Sequence, residues 1–369
     1  MAAPADAIYV DGQVRPLGPD RPVEALAVRD GRCCRLADTY EVRFLEGIET
    51  DCIDLAGRTV LPGFEAHVDL LGFGQRLVSG DLPDGTDRES AVEVPSPATV
   101  ADARSFVDAA LNMAARRGVT TLHAAVADPL VARAVWERDH VPVRLRLHYV
   151  QQDLSDLHAA VHRLGLVSGA GGPRRSIDTI GARVATSTLP DGRPWITPDG
   201  IPDFLGTASE AGFGVTLHAM DDRALEAAAE GLAESALDTA RLITDVPPSP
   251  AQLERLAAAG ALVVLGPGAW SGDDPPPVDR VRDPGRQLRL ATDLSTVEPL
   301  ALLDAIVPTS VATGTALRML TGTPADAEGI AVGEPADFLV LSGSLRDQSP
   351  VALDVDLTVS DGRVVAGSV

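Results

Sequence analysis

Along the middle of the chain, short apolar runs of strand length alternate with longer stretches in which apolar residues return every three or four positions. The runs cover Thr59–Pro62, 119–123, 143–149, 180–186, 215–218, 241–243, 261–265 and 288–293. Helical spacing fills most of the intervals, over 100–117, 129–138, 154–164, 202–211, 224–237, 250–259 and 299–307. Pro250 and Pro299 fall where two of these helices begin, a position at which a missing N–H costs nothing. Eight strand candidates alternating with helices predict an α/β fold, a parallel (β/α)8 barrel of the TIM type. The two ends differ from the middle. Asp11-Gly12, Asp30-Gly31 and Asp361-Gly362 each sit between short apolar stretches, the strongest short hairpin signal, and 337–342 is a further short strand. This patterning predicts a small β-sandwich-like domain built from both termini, residues 1–58 plus 325–369, around a barrel over 59–324. Polar loops over 83–97 and 265–285 are long enough to shape or cover a site. A doubly wound open sheet is the rival. It calls for a glycine-rich phosphate turn after the first strand, and Leu61-Pro-Gly-Phe-Glu-Ala-His67 is not one.

Composition narrows the partners. The chain has 369 residues, 45% of them apolar, enough for one large core. Its 53 acids and 31 bases leave a net charge of −22, and every base is Arg. Such a surface repels nucleic acid and anionic membrane, which excludes both as expected partners and leaves a small-molecule substrate. An acidic, Lys-free chain suits a halophilic protein kept soluble in high salt, and it equally suits a GC-rich genome that encodes Arg in place of Lys. Cys33, Cys34 and Cys52 are too few and oddly numbered for a disulfide framework and read as reduced packing residues. The N-terminal segment lacks the basic-then-apolar pattern of a secretory signal, and no run of about 18 apolar residues occurs, so a cytoplasmic protein is expected. A homo-oligomer stays open.

Barrel chemistry sits at the C-terminal ends of strands. His67 and Asp69 follow the first run, His218 ends the fifth and Asp293 the eighth. Two residues apart on an extended chain, His67 and Asp69 point the same way. Nitrogen and oxygen donors of this kind suit one divalent metal, zinc first, with iron or manganese as alternatives. Each residue also has a plainer reading: a hydrogen-bonded strand-end histidine, a solvated loop acid, a capping aspartate. Their joint placement on strands one, five and eight favours the metal. His123 and His148 close the second and third strands and are candidate substrate contacts. His158 and His162 are spaced i,i+4 on an outer helical pattern and read as a solvated face, and His140 reads as loop. No Gly-x-Ser-x-Gly elbow and no Cys–His signature is present.

These motifs resemble the amidohydrolase superfamily, and its YtcJ-like, amidohydrolase-3 branch in particular. The run Asp54-Leu-Ala-Gly-Arg-Thr-Val-Leu-Pro-Gly-Phe-Glu-Ala-His67-Val-Asp69 looks like that family's entry into its first barrel strand. His218-Ala-Met-Asp-Asp222-Arg-Ala224 is similar to its fifth-strand motif, Thr292-Asp293 to its final acid, and 328–341 with 359–365 to its closing β segment. The resemblance spans nearly the whole chain in order. It also shows departures. Asp69 stands where the family has the second His of His-x-His. No Lys is present to be carboxylated, and Arg183 is the nearest match. The segment Arg241-Leu-Ile-Thr244-Asp245 stands where the family has Arg-Ile-Glu-His. The resemblance therefore implies a single-metal site of His67, Asp69, His218 and Asp293, with Asp293 as the proton acceptor and Arg183 beside His123 and His148 as substrate contacts. The activity implied is hydrolysis of a C–N bond in an amide, cyclic amide or amidine. The alternative is a degenerate barrel that binds a small molecule or partner without turnover.

Overall fold

The computed structural model describes residues 3–18, 21–80, 95–151, 167–186, 196–270, 278, 284–290, 299–306, 311–324 and 326–368. Six short strands precede the barrel: β1 (Ala7–Val10), β2 (Gln13–Val14), β3 (Ala25–Arg29), β4 (Arg32–Ala37), β5 (Asp51–Asp54) and β6 (Thr59–Pro62). The barrel strands are β7 (Phe64–Asp69), β8 (Val119–Val126), β9 (Arg144–Val150), β11 (Arg175–Val184), β12 (Gly214–Ala219), β13 (Ala240–Thr244), β14 (Leu262–Leu265) and β15 (Leu288–Leu290), with β10 (Gly171–Gly172) hairpinned onto β11. Three strands follow: β16 (Phe338–Leu341), β17 (Val355–Ser360) and β18 (Arg363–Gly367).

The eight barrel strands pair in chain order, all parallel, as the alternation predicts. The sheet curls until its two edges meet. There the Arg289 Nε on β15 lies 2.6 Å from Glu65 Oε2 on β7, an ion pair across the seam of a nearly closed barrel. Helices pack outside with local signals that match their sequences. Thr99 and Asp102 form a reciprocal capping box at the start of Val100–Arg116, and Ser249 and Gln252 do the same ahead of Pro250–Ala258. One helix escapes the apolar pattern. Leu70–Ser79 follows β7 directly, capped by the Asp69 carboxylate, which accepts the Gly72 N–H at 3.4 Å. Among the described residues no helix is long and apolar enough to cross a membrane.

The first apolar run corrects the reading of strand one. Thr59–Pro62 pairs antiparallel with β16, not with a barrel neighbour, and the barrel opens on Phe64–Asp69. Gly63 makes the change of sheet within one residue. A Cβ there would stand 2.0 Å from Thr120 Oγ1, so only glycine lets the chain pass so close to β8. Both ends of the chain meet in one five-stranded sheet of order β18-β17-β16-β6-β2. They also share a buried cluster in which Tyr9 packs edge-on against Phe338 at 5.0 Å, with Leu26, Val28, Ile330 and Leu357 around them. A second sheet, β4-β3-β1-β5, completes this region. The terminal strands seat on the N-terminal end of the barrel through Arg144, which reaches Asp337 at 2.8 Å and Asp361 at 2.9 Å, and through Arg174, 2.8 Å from Asp361.

Candidate functional site

Inside a parallel barrel alternate residues face the lumen, and their ladder partners form layers. The upper layer holds the C-terminal strand ends. Asp69 ends β7, and Arg183 of β11 is the ladder partner of His218 on β12. The Arg183 guanidinium lies 3.5 Å from the Asp69 carboxylate. His218 is held neutral, its imidazole lowered to about 4 by burial, with Asp245 opposing, Arg183 assisting and Asp69 opposing. These four residues therefore share one electrostatic neighbourhood at the mouth. Asp245, at the end of β13, accepts the Gly268 N–H at 3.1 Å, and a Cβ on Gly266 would sit 2.1 Å from its carboxylate. Asp293 lies outside the described residues, as do His158, His162, most of both polar loops and the helical pattern at 154–164.

One layer deeper, three imidazoles face the lumen. His67 stacks on His123 with ring centroids 4.5 Å apart, and His123 stacks on His148 at 5.2 Å. His123 Nδ1 is 3.1 Å from His148 Nε2, and His148 Nδ1 is 2.6 Å from Thr179 Oγ1, which in turn bonds Thr216 Oγ1 at 2.7 Å. Burial, helped by the nearby Arg241 guanidinium, holds all three rings well below the ordinary imidazole range, so they are neutral. His67 differs from the other two. Both of its ring nitrogens are buried and have no hydrogen-bond partner among the described residues. Leaving such an atom unmet costs about 1–3 kcal/mol, so this is where a missing partner is expected. His123 and His148, read from the sequence as substrate contacts, are 7% and 3% exposed and engaged with each other; Arg183 stands above them at the mouth.

Sequence reasoning missed two members of this layer. Asp178 occupies a register shift between Ile177 and Thr179, where β11 carries one residue more than β9. Such a bulge re-aims a side chain, and period-two patterning gives no sign of it. Arg241 is read from the sequence as a strand residue and as the first position of the segment standing where the family has Arg-Ile-Glu-His, with no role of its own. Its Nη1 lies 2.9 Å from Asp178 Oδ2 and 3.1 Å from His148 Nε2. Among the described residues, His123, His148 and Asp178 are the group of three whose ligand atoms lie within 4.8 Å of one another. His67, Asp69 and His218 are not drawn together to that distance; Asp69 turns to Arg183 and the cap of its helix.

No protein-family model matches the chain, and no curated protein does. Solved structures do. An uncharacterized metal-dependent hydrolase from Pyrococcus furiosus superposes with a TM-score of 0.70 at 17% identity, covering 94% of this chain and 99% of that one. A zinc-bound adenosine deaminase from Xanthomonas campestris gives 0.67 at 15% identity over 99% and 93%. Molinate hydrolase gives 0.63 at 17% identity over 99% and 95%. At these identities the likeness is one of fold, and the chain has, over nearly its full length, the barrel fold of these hydrolases and of the deaminase.

Proposed function

We propose that the chain is a metal-dependent amidohydrolase that hydrolyses a C–N bond in a small amide, cyclic amide or amidine, and that it belongs to the YtcJ-like branch of that superfamily. The observation that carries this reading is His67: a neutral imidazole two residues before the end of the first barrel strand, buried, with neither nitrogen partnered among the described residues. It stands in a fold shared with metal-dependent hydrolases. His67, Asp69, His218 and Asp293 would hold one divalent ion, zinc or alternatively iron or manganese. The donor chemistry fits, with two neutral imidazoles and two carboxylates. Such an ion supplies an acidified water and polarises the scissile group. The chain's own residues do the rest. Asp293 accepts the water proton and returns it to the leaving nitrogen. Arg183, already beside Asp69, is placed to meet an anionic or carbonyl oxygen of the substrate. The terminal strands form one small β domain of residues 1–58 and 325–369, extended by β6.

Purification with about one metal ion per chain and turnover of small amides in high salt test this reading. Asp293→Asn keeps metal and loses about 10²- to 10⁴-fold in turnover, since the amide accepts no proton. His218→Ala lowers metal occupancy. A chain that carries no metal and hydrolyses no amide supports the second reading, a degenerate barrel that binds without turnover. One observation favours that reading: the Asp69 carboxylate already has a guanidinium for company.

A further inference from the structure

The interior cluster beneath the mouth has the donors of a metal site and already contains a cation. His123 Nδ1 and His148 Nε2 are 3.1 Å apart. Two nitrogens bound to one tetrahedral zinc at about 2.0–2.1 Å stand about 3.3 Å apart, so this pair is already at ligand spacing. Asp178 Oδ2 approaches His123 Nδ1 to 3.9 Å and His148 Nδ1 to 4.0 Å. Thr179 Oγ1, at 2.6 Å from His148 Nδ1, engages the ring nitrogen opposite the one facing His123, as an outer partner does for a metal-ligating histidine. All three ligand groups are held by strands rather than loops. Into this set projects Arg241 Nη1, 2.9 Å from the carboxylate and 3.1 and 3.3 Å from His148 Nε2 and Nδ1, which sets it against the face of that ring, with its own Nε unpartnered among the described residues. A guanidinium cannot lose its charge, so it is a permanent occupant where a metal ion would be exchangeable.

We infer that the Arg241 guanidinium is the resident cation of an interior site built from His123, His148 and Asp178, and that this site takes a divalent metal ion of the zinc class once the guanidinium is removed. The site shares none of its three ligand groups with the mouth set, although His67 stacks on His123 at 4.5 Å, and it stands whether or not the mouth binds metal.

The test uses the full chain, stripped of metal with a chelator and titrated with Co²⁺, whose visible absorption reports nitrogen and oxygen ligation. Arg241→Met is expected to take up one more cobalt ion per chain than the parent, and Arg241→Met/His148→Ala to fall back to the parent value. In Arg241→Ala, free methylguanidinium is expected to compete with the extra cobalt. Cobalt should also raise the melting temperature of Arg241→Met more than that of the parent, because an ion bound only to the folded state stabilises it. Two results overturn the inference. One is a folded Arg241→Met that gains no cobalt. The other is a parent that loses an ion when His148→Ala is introduced alone, which would mean that the guanidinium excludes nothing. If Arg241→Met proves too unstable to isolate without metal, failure of cobalt to restore either it or Arg241→Ala counts equally against the site. His218→Ala, which tests the mouth, leaves the extra ion of Arg241→Met in place.

Discussion

The two ends of the barrel use the same pair of groups, an arginine and an aspartate, to different ends. At the N-terminal face Arg144 makes two contacts, at 2.8 and 2.9 Å, with Asp337 and Asp361, and its own side chain is 12% exposed. At the mouth Arg183 and Asp69 stand 3.5 Å apart and are 22% and 35% exposed. The first arrangement is a joint. Its partners come from far along the chain, just before β16 and in the β17–β18 turn; Asp337 also accepts the Asp361 N–H at 2.7 Å, and Arg174 adds a third link. The second is a loose pair in reach of solvent, beside a neutral His218 and an exposed Asp245. The lesson is that distance and burial, not residue type, separate an ion pair that holds the fold from a longer, more exposed one.

Breaking each pair in turn sharpens the contrast. Arg144→Ala leaves two aspartates facing each other in a half-buried joint and is expected to cost about 3 kcal/mol in denaturant unfolding. An unchanged unfolding midpoint would show that the joint is held by apolar contact alone. Ionic strength should act next. With a net charge of −22, dilute buffer leaves large self-repulsion, so the melting temperature is expected to climb steeply as KCl goes from dilute to molar. A flat profile would leave only codon usage to explain the Lys-free composition.

Acid comes third. His67, His123, His148 and His218 are all depressed by burial, His218 to about 4. An imidazole in the unfolded chain protonates near 6.5. The stability these rings provide is therefore complete above that value. It drains away as pH falls below about 6.5, towards about 4 for His218, and the other three rings act in the same direction. Melting curves at pH 7 and pH 5 should differ accordingly, and His148→Gln should flatten the difference. The smallest effect belongs to the mouth. Arg183→Ala is expected to change stability by less than about 1 kcal/mol while altering substrate KM or metal occupancy. A large loss of stability would place Arg183 among the structural pairs.

What the sequence makes legible follows from what each signal depends on. Seven barrel strands lie where short apolar runs lie, because a strand buried on both faces has to be apolar throughout. The first was displaced by one strand. Thr59–Pro62 and Phe64–Asp69 follow one another across a single glycine, and nothing local says which sheet takes which; that choice depends on Phe338–Leu341, distant in sequence. Leu70–Ser79 gives no helical signal because its two internal glycines weaken one, and Asp69, a candidate for chemistry, also caps that helix. Within the layers, His67, Asp69 and His218 were legible as polar residues at strand ends. Asp178 was not, because its inward turn comes from a bulge. Arg241 and Arg289 were not either, because a charge inside an apolar run acquires meaning only from a carboxylate brought to it by the fold.

The passage of the chain from β6 through Gly63 into β7 also sets a timetable. During synthesis β6 emerges before any barrel strand, yet its antiparallel partner β16 emerges after all eight. The barrel can assemble progressively from neighbouring strands, whereas β6 waits with one backbone edge unpaired until β16 has been made. The terminal sheet is thus the late, slow step of folding and the segment most exposed to wrong pairing in the interval.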